Sequence, residues 1–100
     1  MTTSVQEIDG KMVAILDGEL DTAAAQETEQ ALQPLLGSEG KDILIDCTRL
    51  EYIASSGLRI LLSILKQAKA VGSRVVLKNV NEVVHDVLDL TGFVSIFEFE

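Results

Sequence analysis

The segment from Leu58 to Val71 constrains the fold more than any other part of the sequence. Its apolar residues recur three and four positions apart, which is the spacing of one helix face, and further apolar residues widen that face. The resulting arc consists of Leu58, Ile60, Leu61, Leu62, Ile64, Leu65, Ala68 and Val71. The narrow polar side consists of Arg59, Ser63, Lys66 and Gln67. We therefore expect a largely buried helix that Gly72 ends.

Short apolar runs before and after this helix predict β-strands. The predicted strands are Val5–Ile8, Lys11–Leu16, Ile43–Ile45 and Val75–Leu77. Asp9-Gly10 is a strong hairpin signal between the first two strands. The second strand is apolar on both faces, which suits a position inside a sheet that helices cover. In the tail FVSIFEFE, Ile96, Glu98 and Glu100 alternate with Phe97 and Phe99, and this tail is expected to close an edge of the sheet.

A further helix is predicted from Thr22 to about Leu36. Asp21 or Thr22 caps its start, and Pro34 breaks or bends its last turn. Its inward face consists of Ala25, Thr28, Leu32, Leu35 and Leu36.

The last predicted helix starts at Asn79 or Asn81, and Gly92 stops it. Its inward residues are Val83, Val84, Val87 and Leu88. His85 and Asp86 are expected on the solvent side of this helix.

This order of strands and helices indicates one α/β domain over residues 1–100. The sheet is expected to be mixed and mostly parallel, with the helices packed on it and right-handed crossovers between parallel strands. Loops that follow the strands gather at one edge of such a sheet. The predicted loop DGELD, Asp17–Asp21, and the Ser55-Ser56 turn should therefore lie side by side.

Composition excludes several classes of function. The chain of 100 residues has a formal charge of −8, and nucleic acids and anionic membranes both require clustered lysine and arginine. A single cysteine, Cys47, allows no internal disulfide, and no zinc-binding spacing is present. No secretion signal or membrane span is evident, so we expect a cytoplasmic protein. We expect no cofactor, and we expect the partner to be another protein.

The turn YIASSGL raises the question of why adjacent hydroxyls precede a buried helix. Ser55 at the N-cap would stabilise the helix by about 1 kcal/mol through a backbone N–H. This explains neither Ser56 nor Gly57, because glycine inside a helix costs roughly 1 kcal/mol relative to alanine. A glycine suits a place where something approaches the backbone closely, and a phosphoryl group on Ser55 or Ser56 would be tolerated at a helix N-terminus.

The sequence resembles the STAS domain of bacterial anti-sigma factor antagonists. The likeness lies in DGELDTAAAQ, YIASSGLRILLSILKQAKAVG and VLKNVNEVVHDVLDLTGF, and it extends over nearly the whole chain. The family motif D-S-S-G-L matches at Ser55, Ser56, Gly57 and Leu58, and the family's G-E-L-D loop matches at Gly18, Glu19, Leu20 and Asp21. Ala54 replaces the aspartate that many members carry, and the chain ends at Glu100, before the last amphipathic helix common in the family.

The resemblance implies a non-enzymatic switch protein, monomeric or weakly dimeric. Its partner is an anti-sigma factor that is also a serine kinase, and phosphorylation of Ser55, or as second choice Ser56, ends the binding until a phosphatase reverses it. The expected contact residues are Gly18, Glu19, Leu20, Asp21, Ser55, Ser56, Gly57, Leu58, Arg59 and Ser63. The alternative is a constitutive STAS adaptor bound to the ATPase of a lipid ABC transporter.

Three other features indicate no chemistry of their own. Ser55 as a catalytic nucleophile would need a base, and His85 is the only histidine. Cys47 follows a buried strand and is expected to behave as a small apolar residue. The stretch at 37–42, GSEGKD, lacks the nucleotide-binding frame and is expected to be an ordinary loop.

Overall fold

The computed structural model describes residues 1–36 and 40–100. The elements are β1 (Thr2–Ile8), β2 (Lys11–Leu20), α1 (Thr22–Leu36), β3 (Ile43–Ile53), α2 (Ser55–Ala70), β4 (Val75–Lys78), α3 (Glu82–Leu90), a 3-10 turn (Phe93–Ser95) and β5 (Glu98–Phe99). One five-stranded sheet has the order β1-β2-β3-β4-β5. β1 is antiparallel to β2, and the remaining neighbours are parallel. The predicted α/β class with a mixed, mostly parallel sheet is confirmed.

The helices pack on one face of this sheet. Along β3 the buried residues Ile43, Ile45 and Cys47 alternate with the partly exposed residues Leu44 and Asp46, and β4 has the same alternation. The buried strand residues belong to the same core as the apolar sides of α1, α2 and α3. Among the described helices, none is long and apolar enough to cross a membrane.

The hairpin at Asp9-Gly10 has the predicted form. Asp9 has a φ of 52° and Gly10 a φ of 78°, and Ile8 pairs with Lys11 directly across the turn. Positive φ at both central residues is the geometry of a type I′ turn, whose twist matches that of the antiparallel strands it joins. The turn therefore sets the register of β1 against β2.

The prediction that Asp17–Asp21 is a loop is wrong. β2 continues to Leu20 and β3 continues to Ile53, so both strands are much longer than their apolar runs suggested. The two strands stay paired because β3 has a β-bulge, one extra residue relative to β2, at two places along the ladder. Leu20 therefore still pairs with Ile53 at its end. Such bulges interrupt the simple alternation of polar and apolar residues by which a strand is found in a sequence.

Helix α1 begins as predicted. The Ala24 N–H donates to Asp21 Oδ1 at 2.9 Å, so Asp21 is the cap. Thr28, Leu32 and Leu35 are buried, and the side chain of Leu36 lies outside the described residues. The helix continues through Pro34 and ends two residues later, at Leu36. The expected loop at 37–42 also lies partly outside the described residues.

The predicted burial of two residues is wrong. Val71 and Val83 are each 54% exposed. Val71 lies beyond the last helical residue of α2, where the chain leaves the helix, and Gly72 follows it with a φ of 79°. In α3, Val84 and Leu88 are buried, and neighbouring helical residues point about 100° apart, so Val83 faces outward.

Asn81 fixes the start of α3. Its side chain accepts a hydrogen bond from the Val84 N–H at 2.8 Å and donates one to the Leu50 carbonyl at 2.7 Å. We expect Asn81→Ala to lower the free energy of unfolding by about 1–2 kcal/mol, measured by urea denaturation, because it loses both bonds. Asn81→Asp is the matched control, since it keeps the cap oxygen and should recover most of that loss. Equal stability of Asn81→Ala and the wild type would contradict this role.

The C-terminal tail closes the sheet edge with only two residues. Gly92 has a φ of 78°, the chain then turns through Phe93–Ser95, and only Glu98–Phe99 of the alternating residues form a strand. β5 pairs in parallel with β4, and the Arg74 guanidinium binds Glu98 at 2.8 and 3.1 Å. Phe97 is buried and Phe99 is 39% exposed. The tail thus covers the free edge of β4 as expected.

Candidate functional site

The ends of β2 and β3 bring the first turns of α1 and α2 together. The Ala54 N–H donates to the Leu20 carbonyl at 2.9 Å, one residue beyond the last strand pair. The hydroxyls of Thr22 and Ser56 are 3.3 Å apart and share a hydrogen bond. The predicted proximity of the two segments is confirmed. We call the surface formed by Glu19, Asp21, Ser55 and Ser56 the Ser55 rim.

The prediction that Ser55 caps α2 is wrong. Ala54 is the N-cap, in extended conformation and without a side-chain cap, and Ser55 is the first helical residue. Because the Ala54 carbonyl accepts the first hydrogen bond of the helix, from the Leu58 N–H at 3.0 Å, α2 begins at Ser55, one residue earlier than predicted. The Ser55 side chain is exposed, and no described residue forms a hydrogen bond with its hydroxyl.

Gly57 is required by the core of the domain itself. A Cβ atom at this position would lie 2.6 Å from Leu20 Cγ and 2.9 Å from Ile53 Cγ1. These distances are far shorter than van der Waals contact, so only glycine fits here without displacement. The expectation of a close approach is correct, but the approaching groups are two buried side chains and not a phosphoryl group. The first turn of α2 therefore packs directly against the ends of β2 and β3.

The surroundings of the Ser55 rim differ in charge on its two sides. Glu19, Asp21, Glu27 and Glu51 line one shallow depression of about 460 Å³. A groove of about 410 Å³ separates α1 from α2 on the other side, lined in part by Thr22, Glu29, Ser56, Arg59 and Ser63. Helix α2 itself contains Arg59, Lys66 and Lys69 and no acidic residue. A partner on the Ser55 rim would meet carboxylates on one side, and Arg59 together with Glu29 on the other.

The predicted contact residues have different exposures. Glu19, Ser55, Arg59 and Ser63 are exposed; Gly18, Asp21 and Ser56 are partly buried; Leu20, Gly57 and Leu58 are buried. The exposed and partly buried residues can touch a partner directly, whereas the buried ones shape the surface beneath them. Gly18 has a φ of 114°, a conformation that favours glycine.

Sequence reasoning missed two residues at this surface. Tyr52 is 42% exposed and pairs with Glu19 across the last part of the sheet. The hydroxyl of Thr22 shares a hydrogen bond with the hydroxyl of Ser56. Tyr52 was missed because the predicted third strand ended at Ile45, well before the bulges. A polar residue directly after the Asp21 cap was the available signal for Thr22.

Cys47 and His85 lie as expected. Cys47 is 1% exposed, and burial raises the pKa of its thiol to about 12, so the reactive thiolate is scarce at neutral pH. His85 is on the exposed side of α3, where its ring centroid is 5.7 Å from that of Phe99. Within the described ranges, no group of three or more His, Cys, Asp or Glu side chains could hold a metal ion.

Comparison with known proteins places this fold and motif in a family. The family model of the STAS domain matches residues 2–100. The chain belongs to the STAS domain family. Its fold is therefore that of a STAS domain, as the resemblance in the sequence indicated.

Several relatives of this STAS domain are described as anti-sigma factor antagonists. BtrV of Bordetella bronchiseptica, a candidate anti-sigma factor antagonist, is 34% identical over 97 residues, which is 97% of this chain and 84% of BtrV. The structure of an anti-sigma factor antagonist from Mycobacterium paratuberculosis is similar with a TM-score of 0.83 and 29% identity, covering 98% of this chain and 83% of that one. Phosphorylated SpoIIAA of Bacillus shares the fold, with a TM-score of 0.74, 21% identity and coverage of 99% and 91%.

Proposed function

We propose that this STAS domain is an anti-sigma factor antagonist that acts as a reversible switch in the cytoplasm. Unmodified, it binds a cognate anti-sigma factor through the Ser55 rim and the exposed side of α2, and the bound sigma factor is released. Phosphorylation of Ser55 by the anti-sigma factor, acting as a serine kinase, ends this binding, and a phosphatase restores it. The observation that carries the proposal is an exposed serine hydroxyl on the first turn of a rigidly packed helix.

Ser55 is a better acceptor than Ser56 on structural grounds. Its side chain is exposed, whereas Ser56 is partly buried and its hydroxyl is bound to Thr22. A kinase must bring the acceptor oxygen in line with the phosphorus atom it attacks, so the accessible hydroxyl is favoured. Modification of Ser56 would also break the hydrogen bond between the two helices.

The modification is a phosphoryl transfer from ATP held by the kinase. The Ser55 oxygen bonds to the γ-phosphorus, the bond to the β-phosphate oxygen breaks, and ADP and the hydroxyl proton leave. The free N–H groups at the start of α2 tolerate the new negative charge, so the helix survives. Hydrolysis by the phosphatase returns the serine and inorganic phosphate.

Electrostatics explain how a phosphate could end the binding. It adds about −1.5 to −2 charge to a rim that already carries Glu19 and Asp21. At about 5 Å and an effective dielectric constant near 20, each like-charge pair costs about 3 kcal/mol before screening by salt. Even a third of that weakens binding several-fold. A partner that presents carboxylates at this rim would therefore dissociate.

Three similar proteins support this proposal. BtrV and the Mycobacterium paratuberculosis protein are described as anti-sigma factor antagonists, and the chain covers most of each. SpoIIAA has been solved in phosphorylated form, so this fold accommodates the modification in at least that protein.

The test compares Ser55→Ala and Ser55→Asp for binding to the candidate anti-sigma factor encoded beside the gene. We expect Ser55→Ala to bind like the wild type and take up no phosphate, and Ser55→Asp to bind at least about tenfold more weakly by calorimetry. Ser56→Ala is the control and should still take up phosphate, as measured by mass spectrometry. Equal binding of the Ser55 variants, with no phosphate at either serine, rules out the switch. Recovery of a transporter ATPase in a pull-down would favour the adaptor alternative.

A further inference from the structure

Helix α2 differs in charge from the rest of the molecule. The whole chain has a formal charge of −8, yet α2 contains Arg59, Lys66 and Lys69 and no aspartate or glutamate. The ion pairs among the described residues join Lys41 to Glu7, Arg49 to Asp17 and Arg74 to Glu98. Arg59 takes part in none of them and is exposed. Its guanidinium is therefore available to an external anion.

Ser55 and Arg59 are one helical turn apart. Ser55 is the first residue of α2, and Arg59 follows four positions later, so both side chains lie on the same exposed side of the helix. Residues at this spacing have Cβ atoms about 5–6 Å apart, and a negative group four positions before a positive one is the favourable order. A phosphoserine offers three acceptor oxygens, and arginine binds phosphate with two parallel N–H bonds.

We propose that Arg59 is the residue through which the partner senses the state of Ser55. In the unmodified protein its guanidinium pairs with an acidic group of the anti-sigma factor. In the modified protein the phosphate on Ser55 binds the same guanidinium and withdraws it from the partner. This inference rests on the proposed function, and it adds a second effect to the repulsion between the phosphate and carboxylates of the partner.

Other charged groups near Arg59 compete weakly with the phosphate. Glu29 of α1 lines the same groove but makes no ion pair with Arg59 in this structure. A phosphate on the same helix carries more charge than a carboxylate and has the correct spacing. Lys66 is eleven positions after Ser55 in α2, so it is about 16 Å away along the helix axis, beyond the screening length at physiological salt.

Binding of the Ser55 phosphate to Arg59, which we call the capture of Arg59, can be measured in the absence of any partner. Phosphoserine is incorporated at position 55 during synthesis of the full chain, and the second pKa of its phosphate, ordinarily near 6, is titrated by phosphorus NMR. We expect Arg59→Gln to raise this pKa by about 0.2–0.4 unit, because the cation favours the dianion. Lys66→Gln removes the same charge from the same helix and should shift the pKa by less than about 0.1 unit at 0.15 M salt. Equal shifts in the two variants would overturn the capture.

The role of Arg59 in binding is tested on the unmodified protein. We expect Arg59→Gln to weaken binding of the anti-sigma factor about three- to tenfold, and Arg59→Lys to recover only part of this, because lysine lacks the planar fork. Unchanged affinity of Arg59→Gln would overturn the inference while leaving a switch at Ser55 intact. If the wild-type protein binds no anti-sigma factor, both the proposed function and the role of Arg59 in binding are wrong. The phosphate titration would still show whether Arg59 binds the phosphate on Ser55.

Discussion

Leu20→Ala is expected to lower the free energy of unfolding by about 2–5 kcal/mol, because it leaves a cavity beneath the Ser55 rim. Leu20 is fully buried at the end of β2 and is 2.6 Å from the position that a Cβ atom on Gly57 would occupy. Its side chain therefore fills the space between the strand ends and the first turn of α2. Urea denaturation followed by circular dichroism measures the loss.

Leu90→Ala is the matched control for this substitution. Leu90 is 87% exposed on the last turn of α3, so the same chemical change should alter the stability by no more than about 0.5 kcal/mol. If the two variants differ by less than about 1 kcal/mol, Leu20 does not have the structural role assigned to it.

Gly57→Ala is expected to destabilise the domain by about 1–3 kcal/mol, although alanine is the better helix former by roughly 1 kcal/mol. The added methyl group would collide with Leu20 and Ile53, and both belong to the core and cannot swing into solvent. The sign of the measured change therefore separates packing from helix propensity. A stability equal to or above that of the wild type would show that the first turn of α2 can shift freely.

A double variant identifies the cause of this loss. Leu20→Ala removes two of the atoms that a methyl group on Gly57 would meet, at 2.6 and 2.9 Å, and leaves the contact with Ile53. The loss in Gly57→Ala, Leu20→Ala should thus be smaller than the sum of the single losses. Ser55→Ala is the control on the same turn, because it trims an exposed side chain and should be close to neutral.

The order of the elements could be predicted because each one has a clear local signal. The apolar arc of α2, the Asp9-Gly10 turn and the Asp21 cap all depend on residues close together in the sequence, and all are confirmed except for Val71 at the end of the arc. The lengths of β2 and β3 could not be predicted in this way. Their last pairs form across two bulges, and the polar residues in Asp17–Leu20 look like a loop until the neighbouring strand is known.

The Ser55 rim was only partly predictable for the same reason. The proximity of its two segments follows from the rule that loops after parallel strands share an edge, and it is confirmed. The helix starts one residue earlier than predicted, because Ala54 takes the N-cap position without a capping side chain and its carbonyl accepts from the Leu58 N–H. The reason for Gly57 could not be read from the sequence, since it depends on side chains that approach from two distant strands.

The turn between β1 and β2 is a suitable place to attach a label for measuring partner binding. It precedes the first residue of β2, whereas the Ser55 rim follows the last, and a strand of 10 residues separates the two by roughly 30 Å. Gly10 itself cannot carry a side chain without strain, because its φ is 78°, whereas Lys11 beside it is exposed. A fluorophore or surface tether placed at this turn would report on docking from the far end of the molecule without obstructing it.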